Sequence, residues 1–138
     1  MISTVEKVLF LKGVDLFKTI PGEELSHIAQ ITDEVEVGSA QAVFKEGDQG
    51  DAMYLIVDGK VKIHSGEHTF AELGQKQCFG EMAILDAEPR SATVTALSDL
   101  SLLKIRREDF TEILADKPEI SQGIIKVLTR RLREANRR

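Results

Sequence analysis

The sequence predicts an α+β protein that is mainly β: an eight-stranded β-barrel or jelly roll with helices before it and a helix pair after it. Three observations lead there. The first thirty or so residues carry apolar positions at helical spacing. Residues from Thr32 to Arg106 form a succession of short strand-like runs with closely spaced turns, which suits a barrel rather than alternating βαβ units. Beyond Arg107 the apolar residues again recur every three or four positions. The 138 residues fit one domain, with a helical segment at about 1–31, a barrel at about 32–106 and C-terminal helices at about 107–138. A chain of this length buries roughly two-thirds of its unfolded surface.

Each element has its own signal. Val5, Val8, Leu9 and Lys12 share a helical spacing that Gly13 stops. A second helix begins near Pro21, with Glu23 and Glu24 placed against the positive dipole end and Leu25, Ile28 and Ala29 as its buried stripe. Val35 and Val37 alternate with glutamates, and EGDQGD then turns the chain. MYLIVDGKVKI reads as two strands meeting in a tight hairpin at Asp58-Gly59. HSGEH is a further turn, and FAEL, ATVTAL and LSLLKI are further strands. EDFTEIL begins a short helix that Asp116-Lys117-Pro118 breaks. The last helix runs from about Pro118 with Ile120, Ile124, Leu128 and Leu132 in one stripe, beside Val127 and Ala135; that stripe must pack on the barrel or on a second copy of itself.

Composition narrows the function. The chain is 42% hydrophobic and 30% charged, as soluble globular proteins are, and no apolar run approaches the ~20 residues of a membrane span. The start, MISTVEKVLFLKG, carries too much charge for a signal peptide. One cysteine, Cys78, excludes an internal disulfide and suits a reducing cytoplasm. The net charge of −5 argues against direct nucleic-acid binding and requires a local device for any anionic ligand. Arg130, Arg131, Arg133, Arg137 and Arg138 break the acidic trend; at a helix C-terminus they oppose the dipole and solvate the helix face, and docking on an acidic partner is the alternative.

The chemistry concentrates in FGEMAILDAEPRSATV, Phe79 to Val94. Gly80 lets a ligand approach the backbone. Glu81 to Leu85 make one helical turn whose first amides have no intrahelical acceptor. Arg90 offers a planar fork of donors to two phosphate oxygens, Glu81 an acceptor for a sugar hydroxyl, and Ser91 a hydroxyl and an N–H beside the arginine. This set suits a small phosphorylated sugar. On charge alone, Glu81 and Arg90 would simply pair across a loop.

Order and spacing favour the binding site. The segment closely resembles the phosphate-binding cassette of the cyclic nucleotide-binding domain family (catabolite activator and protein kinase A regulatory type), with its Phe-Gly-Glu, short helix and Pro-Arg-x-Ala-x-Val. Phe79, Gly80, Glu81, Ala83, Leu85, Pro89, Arg90, Ala92 and Val94 fit that pattern. VFKEGDQGDAMYLIVDGKVKI resembles the family's early strands, with Gly47 and Gly59 at turns, and the likeness runs from about Leu16 to the end. The resemblance implies that Arg90 binds the exocyclic phosphate oxygens and Glu81 the ribose 2′-hydroxyl. Backbone amides near Gly80, Met82, Ala83 and Ser91 complete a cradle that Ala92 adjoins. It also implies that hinge and C-terminal helices close over the base as a lid, with Arg133 and Asn136 as candidate base contacts. In the family, threonine after the arginine accompanies cGMP and alanine cAMP; Ser91 leans towards cAMP.

Other sites are weaker. His64, His68 and Glu72 are spaced by four, as metal ligands can be, but the turn between the histidines puts both on an exposed tip. Cys78 reads as a small buried hydrophobe rather than a redox sensor, and His27 as a surface residue. There is no nucleophile–base pair. The expectation is a non-enzymatic sensor for cAMP or cGMP without a metal or other cofactor, acting on an effector domain or partner through its last helix. The alternative is an interaction or homodimerisation module that uses the same fold without nucleotide.

Overall fold

A computed structural model describes residues 1–137; Arg138, the last of the C-terminal arginines, and the side chain of Ala83 lie outside the described residues. Helix α1 (Thr4–Lys12) starts with a capping box: the Ser3 hydroxyl accepts from the Glu6 N–H at 3.1 Å, and the Glu6 carboxylate accepts from the Ser3 N–H at 3.2 Å. Gly13 is its C-cap. Val5 and Leu9 face outward, whereas Leu11 is fully buried and Val8 and Phe10 pack partly against the core. A short 3-10 helix, Asp15–Phe17, buries Leu16 and Phe17. Helix α2 (Gly22–Gln30) follows Pro21 and buries Leu25, Ile28 and Ala29, the stripe its spacing predicts.

Eight strands follow: β1 (Thr32–Val37), β2 (Ala42–Phe44), β3 (Ala52–Asp58), β4 (Val61–Ser65), β5 (His68–Leu73), β6 (Cys78–Phe79), β7 (Thr93–Ala96) and β8 (Leu100–Arg106). They form two four-stranded antiparallel sheets in the orders β1-β8-β3-β6 and β2-β7-β4-β5, the double-sheet jelly roll. The expected Asp58-Gly59 hairpin needs correction. β3 pairs with β8 and β6, and β4 with β5 and β7, so the turn is a corner between sheets. Its glycine is still required: φ is +101°, and a β-carbon would stand 2.5 Å from the Asp99 carbonyl oxygen.

Strand β3 explains the layering. Ala52 to Ile56 are all buried, and successive side chains point to opposite faces. Met53 and Leu55 join Leu103 and Ile105 against the helices, while Ala52, Tyr54 and Ile56 join Phe79, Val94 and Leu102 inside the roll. One sheet therefore lies between the helical layer and the other sheet.

Helix α4 (Arg107–Asp116) ends at Lys117, and Pro118 opens helix α5 (Pro118–Asn136). The α5 stripe divides: Ile120 and Ile124 are buried within the chain, whereas Leu132 is exposed. Ile120, Ile124 and Val127 join the cluster of Leu11, Leu16 and Phe17, so α5 lies on the N-terminal helical layer. Gly123 allows close approach there: its carbonyl accepts from Thr19 Oγ1 at 2.8 Å, and a β-carbon would fall 2.8 Å from Ile20 Cγ1. Leu128 is half-buried, and Ile125 and Leu132 are exposed. Among the described residues, no helix is long and apolar enough to cross a membrane.

Candidate functional site

The segment between β6 and β7 carries helix α3 (Glu81–Asp86) and the loop that presents Arg90. Two backbone hydrogen bonds set that arginine. Its N–H donates to the Asp48 carbonyl at 2.8 Å, and its carbonyl accepts from the Gly47 N–H at 2.9 Å. The receiving turn is itself closed, with Lys45 N–H donating to Asp48 Oδ2 at 2.9 Å and Asp48 N–H to the Lys45 carbonyl at 3.0 Å. Gly47 adopts φ +89°, which a glycine tolerates without strain. The β2–β3 turn is thus the mount for Arg90.

The guanidinium turns inward and is only 5% exposed. Nη1 donates to the Gly80 carbonyl at 3.1 Å and Nη2 to the Ala52 carbonyl. Its carbon lies 3.9 Å from the ring centroid of Phe44, a cation–π contact. Phe44 packs on Tyr54 and Phe79 at centroid distances of 6.1 and 5.9 Å, so the platform under the arginine is an aromatic cluster. Gly80 is needed twice over. Its φ is +82°, and a β-carbon there would sit 2.7 Å from Arg90 Nη1.

Among the described residues no carboxylate lies within ion-pair distance of Arg90, so the loop pairing of Glu81 with Arg90 that charge alone suggests does not form. Two of its N–H groups meet neutral carbonyls, and Nε is buried with no partner. Burial pulls its pKa below the ordinary arginine value, against the opposing influence of Tyr54, Asp51, Asp48 and Glu81. A buried cation held only by dipoles stays costly until an anion joins it.

The site opens into a cavity of about 370 Å³. Gly80, Glu81, Met82, Arg90, Ser91 and Ala92 all line it, with Phe44, Ile63, Leu73 and Val94 supplying apolar wall. Glu81 is half-buried at the start of α3, Met82 is 68% exposed, Ser91 is exposed and Ala92 is buried. Ala83 lies on α3, its side chain outside the described residues. Arg133 and Asn136 are exposed near the end of α5 and do not line the cavity.

Sequence reasoning missed Phe44, the Ala52 carbonyl, the Gly47–Asp48 mount and Arg131. Arg131 pairs with Asp15 of the 3-10 helix at 3.0 Å, and Lys18 pairs with the same carboxylate at 2.7 Å. Cys78 also lines the cavity; burial first, and then the Glu81 charge, push its thiol up to about 12. His64, His68 and Glu72 do not converge. His64 is bonded to Thr95 Oγ1 at 2.8 Å and His68 stacks edge-on against Phe70, and among the described residues no trio of His, Cys, Asp or Glu is placed to hold a metal.

A jelly roll whose loop turns a buried, unneutralised arginine onto a cavity has the architecture of a ligand-binding domain. The chain belongs to the cyclic nucleotide-binding domain family, whose model matches residues 34–117. It is 36% identical over 123 residues to the CRP-like cAMP-activated global transcriptional regulator of Mycobacterium tuberculosis, a match covering 83% of this chain and 55% of that one. The chain thus spans about half the length of that relative. Its structure is similar to the N-terminal domain of a transcriptional regulator from Streptomyces coelicolor A3(2), with a TM-score of 0.82, 32% identity, and coverage of 92% of this chain and 94% of that one. It is also similar to the regulatory domain of Toxoplasma gondii PKA crystallised with cAMP, with a TM-score of 0.74, 26% identity, and coverage of 80% and 44%.

Proposed function

We propose that residues 1–138 act as one non-catalytic sensor that binds a cyclic nucleotide, cAMP in preference to cGMP, and transmits the event through α5. The unneutralised guanidinium of Arg90 carries this reading: it is 5% exposed, has a partnerless Nε and lines the cavity. Two of its five N–H donors are engaged, which leaves three for phosphate oxygens. A cyclic phosphodiester supplies one negative charge and two exocyclic oxygens, matching that fork. Glu81 accepts from the ribose 2′-hydroxyl, the amides of Gly80, Met82, Ala83 and Ser91 complete the cradle beside Ala92, and the apolar wall receives the base. Ser91 and the relative named for cAMP support the base preference.

A route to α5 runs through packed elements: α3 lies against α4, α4 against α5, and Arg131 of α5 pairs with Asp15 at 3.0 Å. Ligand drawn onto Glu81 moves α3, and α5 shifts to bring Arg133 and Asn136 over the base. The output passes to an effector domain or partner protein in the cytoplasm. Calorimetric titration with cAMP, cGMP and 5′-AMP tests the reading. Saturable binding of cAMP, tighter than cGMP and much tighter than 5′-AMP, is expected; no binding by a folded protein overturns it.

A second reading rests on α5. Ile125 and Leu132 are 59% and 63% exposed, with half-buried Leu128 between them. Positions 125, 128 and 132 follow the spacing of a helix–helix seam, which favours docking of a second copy. Sedimentation velocity on the wild type and on L132E separates this from a monomeric sensor.

A further inference from the structure

Among the described residues, three carboxylates line the cavity, Glu81, Asp86 and Glu88, against the single cation Arg90. The proposed function has work for Glu81 and none for the other two. Asp86 and Glu88 are both exposed, at the rim, while the Arg90 Nε is buried without a partner. They form one turn: Asp86 Oδ1 accepts from the Glu88 N–H at 3.0 Å, and Ala87 between them adopts φ +65°. An anion moving towards Arg90 therefore passes two fixed negative charges, in a protein whose net charge is already −5.

We infer that Asp86 and Glu88 act as a charge filter at the cavity mouth, admitting ligands that carry one negative charge and disfavouring those that carry two or more. This rests on the cyclic nucleotide reading and deepens it. Repulsion between a rim carboxylate and a ligand grows in proportion to the ligand's charge. A cyclic phosphodiester carries a single charge, a phosphomonoester carries about two above its second pKa of ~6, and a triphosphate carries about four. The attraction of Arg90 alone would rank the triphosphate first; the rim opposes that order. Selection by charge needs no contact with the base.

The test is the double variant D86N/E88Q, which removes both charges, keeps the shapes, and retains the Asn oxygen as acceptor for the residue-88 amide. Affinities for cAMP, 5′-AMP and ATP are measured against the wild type at pH 8, at low ionic strength without divalent cations, the last two by displacement of cAMP. Each rim charge is expected to cost about 1.5-fold per ligand charge at roughly 10 Å, well inside the ~30 Å Debye length of a low-salt buffer. The variant should therefore gain about twofold for cAMP, about fivefold for 5′-AMP and about 25-fold for ATP. Salt should erase the differences. A gain equal for all three ligands, or no gain in displacement by 5′-AMP and ATP while cAMP still binds, overturns the filter and leaves the sensor reading intact. Wild-type protein that binds no cyclic nucleotide overturns both.

Discussion

The carbonyl of Gly80 accepts a hydrogen bond from Arg90 Nη1 at 3.1 Å, and a β-carbon on residue 80 would stand 2.7 Å from that same nitrogen. Glycine and arginine, ten residues apart, are therefore one unit. The glycine's missing side chain is the space the guanidinium occupies.

Gly80→Ala should disturb both partners. Alanine at φ +82° is strained by about 1–3 kcal/mol, and the added methyl displaces Nη1 from its carbonyl. Urea unfolding should show that loss of stability, and titration should show cAMP affinity falling about tenfold or more at ~1.4 kcal/mol per decade.

Arg90→Met should separate binding from stability. Methionine keeps the apolar stem on Phe44 and removes a buried, unneutralised charge, but leaves the Gly80 and Ala52 carbonyls without a donor. These effects oppose one another, so the unfolding free energy should change by less than about 2 kcal/mol. Ligand affinity should fall by roughly 30-fold or more, the lower end of the ~2–5 kcal/mol cost of truncating a buried charged partner. In thermal melts, cAMP should raise the Tm of the wild type by more than that of the variant at the same ligand concentration.

Gly123→Leu should lift α5 from the helical layer. A β-carbon there already falls 2.8 Å from Ile20 Cγ1, so a larger side chain forces the helix outward at a cost of about 1–3 kcal/mol. Denaturation midpoints measure the loss.

The tie between Asp15 and Arg131 should weaken in acid. Hydrogen bonds from Lys18 first, and then from Arg131, hold the Asp15 carboxyl below its ordinary value of 3.8. A depressed carboxylate pKa stabilises the fold above the unfolded value, and the contribution is lost as pH falls through the folded one. The pair is half-exposed, so Asp15→Asn should cost no more than about 1 kcal/mol at pH 7. Melts of wild type and variant should converge as the pH drops below 3.8.

Cys78 should be inert in the folded protein. With its thiol pushed up to about 12, little thiolate exists at pH 8, and alkylation should be slow until urea exposes the residue. Fast labelling of native protein would contradict the burial of this wall.

The sequence by itself determined the local features. The Phe79–Val94 segment, the turn glycines, the Leu25–Ile28–Ala29 stripe and the break at Pro118 each depend on adjacent residues, whose φ preferences and spacing are written in the chain. Tertiary structure decided the partners. The run through Asp58-Gly59 has the same turn chemistry whether β3 and β4 pair or part, and only the burial of both β3 faces sends them to different sheets. Helix α5 carries apolar residues on more than one side, so its spacing alone could not choose Ile120, Ile124 and Val127 over Leu132 for the core. Glu81 and Arg90 have opposite charges and adjacent positions in the chain's logic. They stay apart because a turn forty residues upstream holds the arginine's backbone, and two carbonyls and a phenyl ring take its guanidinium into the interior.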